Sequence, residues 1–577
     1  MDIINAQQDF SATKFAKTNF SGRNDTLCTT HDSKVLLTLM KPKTSPAKLI
    51  AHWPFSTDFE NIANKQLRII NHNVDLSQQA AHFNGRDSFL EIASHPNLDW
   101  GNDNFSISLW IETKLQSDVV GDLLSKYDSA SRRGWTLGVV TNSGVTSTAQ
   151  PNYRHLHFGI DNGDSGSWTD CGRPGNAVFI YSMATVGGQL YAGTFEIEAD
   201  QTGHLWRYAG DGNWQHCGAT PDGSNSIPTI VDFGGELYCA SGRYNPIGSR
   251  LGSPQNTAPG GHVYRISTDG AWHDCGIPGS KDAVPEEVPT SGYATGKADE
   301  IYSLTVFREK LYATSFHQRG AYVYEGGTEW KYIGPDSRLM SFTVYQDELY
   351  ALANGGPVYR YDGGENWTLC GTPGASQQTY AAATYRGELL VGTWPNCEVL
   401  RYDGEQNWTN FGRAGYEMEV MAMALYNAKI YFGTLPMANV WRLDDNDYAY
   451  IGNIDNSPEA YLRRVWSMAV YQGKLFTGTL PSGKVLSYEA GRMATHDQTL
   501  PAGRHHIAAV RDDKILRLYI DGKIVAQSSP FNATEFDLNT EQPLKIGFGA
   551  HQYFAGTMSD LRLYHGALTA EEIQELQ

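Results

Sequence analysis

Between Tyr181 and Leu480 the chain repeats one unit seven times: an apolar run, a short break, then a version of Leu-Tyr-Ala-Gly-Thr. The copies of this second run are Leu190-Tyr191, Leu237-Tyr238, Leu311-Tyr312, Leu349-Tyr350, Leu389-Leu390, Ile430-Tyr431 and Leu475-Phe476. A second marker, an aromatic residue three positions before a small apolar residue and Gly, trails the first six copies at Trp214, Trp272, Trp330, Trp367, Trp408 and Tyr448. Its seventh copy stands ahead of the first repeat, at Trp168-Thr169-Asp170-Cys171-Gly172.

Units of about 40 to 60 residues, each with four short strands, predict the blades of a β-propeller. One blade cannot bury both faces of its sheet, so blades must stack radially and the ring must close. The displaced marker shows how. A strand at Trp168 completes the blade whose other strands are Val465 to Val470, Lys474 to Thr479 and Lys484 to Tyr488, so the two ends of the segment meet in one sheet. The reading is a seven-bladed propeller over 163–490 with a strap across its seam.

At 577 residues the chain holds more than one domain, and 59 glycines with 12% aromatics suit a turn-rich all-β protein. The formal charge of −18 argues against nucleic acid and anionic membrane surfaces as partners. No apolar run reaches membrane-spanning length, and Met1 to Pro46 shows neither the basic start nor the apolar core of a leader. Cys171, Cys217, Cys275 and Cys370 occupy one position in four different blades, where a disulfide cannot reach. They read as small buried hydrophobes. Cys28, Cys239 and Cys397 show no CxxC spacing and leave the redox compartment open.

Alternating sequence flanks the repeats. Phe83-Asn84-Gly85-Arg86-Asp87-Ser88-Phe89-Leu90-Glu91-Ile92 and Phe105-Ser106-Ile107-Ser108-Leu109-Trp110-Ile111 precede them. Arg504-His505-His506-Ile507-Ala508-Ala509-Val510, Leu516 to Lys523 with its Asp521-Gly522 turn, and Phe554 to Tyr564 follow. Period-two alternation predicts half-buried antiparallel strands, and Thr569 to Glu572 is a capping box opening a short helix. These residues resemble the laminin-G, concanavalin-A-like jelly roll in their usual order. The resemblance implies one lectin-like β-sandwich split into 45–162 and 491–577, with the propeller inserted in a loop near Leu156 to Asp161 and residues 1–44 as an extension. Insertion suits a guest whose ends lie together. The resemblance also implies an extracellular or periplasmic location, although a cytoplasmic one stays open, and admits a structural calcium ion. His505 and His506 sit at a usual strand position and read as structural.

No Walker loop, HExxH, CxxC pair or nucleophile elbow is present. The turn Asp362 to Trp367 and, more loosely, Glu325 to Trp330 and Asp403 to Trp408 resemble the Asp-box of sialidase-like propellers, a structural turn away from the active face. Six residues after the aligned Leu, at the start of the loop from second to third strand, stand Glu196, Arg243, His317, Gly355, Pro395, Pro436 and Pro481. Eleven residues before it, at the channel mouth, stand Phe179, Ser226, Glu300, Arg338, Gln378, Glu419 and Arg464. Blades one to three are polar where blades five to seven carry proline. Blade two also has long loops, Ser241 to Gly261 and Pro278 to Glu300, which in a tight repeat usually serve function.

The candidates are therefore His317, Tyr244, Arg243 and Arg464 for catalysis. Glu196, His204, His262, Arg319, Tyr302, Arg338, Glu300, Glu419 and Trp394 are candidates for substrate binding. Arginine's fork suits a carboxylate or sulfate, so an acidic polysaccharide is the expected ligand of a monomeric protein. The architecture resembles seven-bladed polysaccharide lyases such as those acting on ulvan. That resemblance implies a β-elimination without a required cofactor, in which Arg243 or Arg464 neutralises a uronate while His317 or Tyr244 acts as base and acid. A glycoside hydrolase using paired carboxylates such as Glu300 and Glu419, and a glycan-binding scaffold stacking sugars on Trp394 and Tyr244, remain the alternatives.

Overall fold

The computed structural model describes residues 46–577 apart from 198–200, 250, 253, 257, 280–300, 316–318 and 459, and apart from the side chains of 247 and 248. His317 and Glu300 lie outside the described residues. The architecture is all-β, a seven-bladed propeller inserted into a lectin-like antiparallel sandwich. Blade seven takes its outer strand from the far end of the insert: Ser167–Asp170 runs antiparallel to Val485–Glu489 with Trp168 opposite Tyr488.

The aromatic marker turns out to be the clasp between blades. The indole N–H of Trp214 donates to the Cys171 carbonyl at 2.8 Å, Trp272 to Cys217 at 3.3 Å, Trp330 to Cys275 at 2.8 Å and Trp367 to Ile333 at 2.7 Å. Trp408 donates to Cys370 at 2.7 Å, the Tyr448 hydroxyl to Phe411 at 3.1 Å, and Trp168 closes the circle on Ile451 at 3.4 Å. Each blade gives one such bond to the blade before it. The glycine that follows leaves room for the next ring: an added Cβ at Gly218, Gly412 or Gly452 would lie 2.5, 2.7 or 3.1 Å from Trp272, Tyr448 or Trp168. The six cysteines among the described residues are all free.

Both sheets of the sandwich draw strands from before and after the propeller. Phe105–Thr113 pairs with Gly503–Asp512 in one sheet, and Asn152–Asn162 pairs with Arg492–His496 in the other. Their facing apolar residues make one core in which Trp100 stacks on Phe105 at 4.0 Å and on Trp135 at 5.2 Å. His506 is buried on Ser108, and His505 lies 2.9 Å from Asp521.

The second sheet packs against the lower end of the propeller, and one of its loops enters the bore. Residues 143–151 join the strands Arg133–Asn142 and Asn152–Asn162, and all nine are buried. The innermost strand of each blade leaves one edge unpaired, and a buried unpaired edge is costly. Amides at both ends of the loop meet that need. Asn142 bridges the Leu425 amide and carbonyl in blade six, Gln150 those of Val306 in blade three, and Asn152 those of Val470 in blade seven. Ser143 bonds Thr343 and the Val344 amide in blade four, and the Gly144 carbonyl accepts from the Ala382 amide in blade five. Gly144 has φ +81° and lies so close that an added Cβ would come within 2.6 Å of the Ala382 carbonyl oxygen, so only glycine fits. At the tip, Ser147 donates to the Tyr181 carbonyl and accepts from the Trp466 indole at 2.9 Å.

Above the tip the bore is filled by side chains. Every inner strand carries a register shift near its upper end, at Tyr181, 227–228, Tyr302, Met340, 380–381, Met421 and Trp466. A bulge re-aims the residue it contains. Tyr181, Tyr302, Met340, Tyr380, Met421 and Trp466 come from six different blades yet form one buried apolar cluster, which places them on the axis.

Candidate functional site

The upper mouth lies over this apolar layer. Tyr244 begins the long loop of blade two and is 4% exposed, packed at ring separations of 5.7, 5.1 and 5.3 Å on Phe179, Tyr181 and Phe195. Asn225 holds its backbone from both sides, accepting from the amide and donating to the carbonyl, each at 2.9 Å. The phenol oxygen accepts a 2.5 Å hydrogen bond from Nη1 of Arg464, which stands at the top of blade seven. The Arg464 guanidinium is 5.5 Å from the centre of the Trp466 ring. The loop then continues across the mouth. Ser249 accepts from the Tyr461 amide and donates to the Leu462 carbonyl, and Leu251 packs on the apolar layer.

Two buried acids flank this bridge. Glu419 is 3% exposed, and burial pushes its carboxyl well above the usual carboxylate range, with Arg464 pulling the other way. Glu196 is 1% exposed and is pushed up to about 7 by burial, offset in part by the Thr194 hydroxyl and by Arg173. Both carboxyls are thus held toward the neutral form. The arginines assigned to the mouth, Arg243, Arg338 and Arg464, are only partly buried. Burial lowers Arg243 from its ordinary value.

Other candidates go elsewhere. Tyr302 is 2% exposed, part of the apolar layer rather than of the rim above it, because the bulge in its strand turns it inward. His204 and His262 begin the third strands of blades one and two, counted from the axis, and pair outward with the fourth. His204 lies 2.8 Å from His216, with burial and that neighbour lowering its proton affinity, and His262 lies 3.2 Å from Asp274. Arg319 is exposed, 3.4 Å from Asp336. Trp394 ends the second strand of blade five, partly exposed. In the turn from Asp362 to Trp367, Asp362 accepts from the Thr368 hydroxyl at 2.6 Å, and Asp403 accepts from Thr409 at 2.5 Å one blade on. Among the described residues no group of three or more His, Cys, Asp or Glu side chains gathers as a metal-binding set.

Two features were missed in the sequence. On the upper side of blades five to seven, Tyr416 is 97% exposed beside Arg413, and Glu417 accepts from the Met437 amide and from Asn439. The signal was an aromatic residue directly after a turn glycine in the passage from blade five to blade six. The loop in the bore was missed as well. Its mark is a run without charge from Thr141 to Tyr153, rich in Asn, Ser, Thr and Gln, in a chain that is 19% charged.

Residues 445–574 match the Laminin_G_3 family, the concanavalin A-like lectin/glucanases superfamily. The match begins inside blade six, upstream of the sandwich strand at Arg492. A lectin- or glucanase-like domain is consistent with a carbohydrate partner. No curated protein matches the chain. Among solved structures, a catalytically inactive virginiamycin B lyase from Staphylococcus aureus with quinupristin is 10% identical. It covers 56% of this chain and 99% of its own, with a TM-score of 0.40. YCF48 from Cyanidioschyzon merolae is 11% identical over 56% of this chain and 98% of its own, with a TM-score of 0.37. Among the described residues no helix is long and apolar enough to cross a membrane.

Proposed function

We propose that this protein acts on an acidic polysaccharide outside the cytoplasm, holding a uronic acid residue at the upper mouth of the propeller and cleaving its chain by β-elimination. The Arg464–Tyr244 hydrogen bond carries the reading. A guanidinium beside the uronate stabilises the negative charge that grows when the C5 proton leaves. Tyr244, held by that guanidinium, would take the C5 proton and return it to the departing O4. The C5 proton and the C4–O4 bond are lost, a C4–C5 double bond forms, and no water or cofactor is consumed. His317 keeps the role of partner base as a proposal from the sequence. The 4% exposure of Tyr244 favours a second reading, a glycan-binding protein in which the same arginines only recognise.

Incubation with a panel of uronic-acid polysaccharides separates the readings, following ultraviolet absorbance of the unsaturated product together with reducing ends. Both signals should rise for the native protein and fall at least about 100-fold for Tyr244→Phe and Arg464→Gln, with unchanged thermal unfolding. Reducing ends without absorbance mean hydrolysis and overturn the elimination. Binding with neither signal leaves the recognition reading.

A further inference from the structure

A cleft of about 230 Å³ opens where the second sandwich sheet meets the lower turns of blades five and six. Its wall holds two cations, Arg386 from the turn of blade five and Lys545 from the sandwich strand Leu544–Ile546, and no carboxylate. Tyr127, Tyr385 and Phe548 supply aromatic surface, and Gln542 a polar amide. The Lys545 ammonium rests on the rings of Phe548 and Phe89, 5.0 and 5.8 Å from their centres, and Phe548 stacks on Tyr553 at 4.1 Å. Arg386 lies 5.0 Å from the Tyr385 ring centre, and its Nη1 is 3.3 Å from Asp445. The acids that act on the pair, Glu91 on Lys545 and Asp445 on Arg386, stand behind the cations rather than in the cleft.

Two cations brought together across a half-buried space repel one another, and burial with Arg386 nearby already lowers Lys545 from its ordinary value. In a chain of net charge −18 such a patch is a local inversion. The space is smaller than pockets that take drug-sized ligands, which suits one ring rather than a chain. We propose that this cleft is a second ligand site, binding a single saccharide residue through its carboxylate or sulfate, with Arg386 and Lys545 on the anion and the half-buried Phe548 beside the ring. It stands apart from the mouth and does not depend on chemistry there.

Titration calorimetry with galacturonic acid, galactose and inorganic sulfate tests it. Galacturonic acid should bind and galactose should not. Lys545→Met, which keeps the apolar stem on Phe548, should weaken this binding at least about 10-fold with no change in thermal unfolding. Arg464→Gln should leave it intact, which separates this site from the mouth. Asp445→Asn, which frees Arg386 from a competing acid, should tighten it, a gain that a purely structural role for Arg386 would not produce. Equal affinity for inorganic sulfate and galacturonic acid would overturn the saccharide assignment. Binding that survives Lys545→Met in the Arg464→Gln background, or no binding to the native protein, would overturn the site.

Discussion

The two ends of the propeller bore are closed by opposite means. At the lower end the seven inner strands offer backbone edges, and an uncharged loop of the sandwich answers them with Asn142, Gln150 and Asn152. At the upper end the same strands bulge, and Tyr181, Tyr302, Met340, Tyr380, Met421 and Trp466 fill the axis with apolar side chains. Above that layer stand the half-buried Arg464 and the buried acids Glu419 and Glu196. The lower closure satisfies the ring's hydrogen bonds, so it belongs to folding. The upper closure leaves a rim of arginines and buried acids, so chemistry has somewhere to act.

The largest blow to this contrast is to remove the lower closure. Replacing residues 144–150 with a short glycine-serine turn should lower the melting temperature by ten degrees or more on differential scanning calorimetry. Each orphaned buried backbone group costs about 1–3 kcal/mol, and several would be orphaned at once. Trimming 246–258 at the upper mouth should shift it by only a few degrees. Equal effects would erase the distinction.

The next largest effect lies where blade six meets the sandwich. Lys429 and Asp161 form an ion pair with side chains 3% and 2% exposed. Lys429→Met would strip a buried carboxylate of its cation, leaving it only the Gly163 amide and the Tyr127 hydroxyl, at about 3–5 kcal/mol in denaturant unfolding. A change near zero would mean that water or a shifted side chain solvates Asp161.

The smallest effect concerns pH. Asp122 faces this interface, accepting from the amides of His551 and Gln552, and burial pushes its carboxyl up to about 7. A raised carboxyl keeps its proton in the folded state while the unfolded chain loses it, so its contribution to stability falls as pH rises from about 4 to about 7. Buried His157 and His551, lowered to about 3 and about 4, oppose it, since each stays neutral in the fold and costs stability as pH drops below about 6.5. Asp122→Asn should gain on the native protein as pH rises from 4 to 7, read from melting temperatures across that range. A parallel pair of curves would mean that Asp122 is ionised in the fold.

The blade count and the strap were legible because both are written locally. The Leu-Tyr strand recurs in register, and each aromatic marker finds its partner at the aligned Cys, Ile or Phe of the preceding blade, so the sequence alignment was already a contact map of the girdle. The host sandwich was legible from alternation and turn residues on either side. The loop in the bore was not, since Asn, Ser, Thr and Gln look alike whether they face water or buried backbone. Tyr244 and Arg464 were both named, yet their meeting depends on a loop that crosses 220 residues of sequence separation. His204 and His262 both begin third strands, and their partners His216 and Asp274 stand on the fourth, a pairing that the Gly-His start of each strand does not spell out.

The loop through the bore bears on how far this insertion is modular. A propeller cut out at 163 and 490 would keep its seven blades, its girdle and the apolar layer at its upper end, but the lower part of its shaft would stand open with inner strand edges exposed to water. The sandwich without its guest would carry an uncharged, hydrogen-bond-hungry finger into solvent. Two domains that separate cleanly along the sequence are, in the fold, a wheel and its axle.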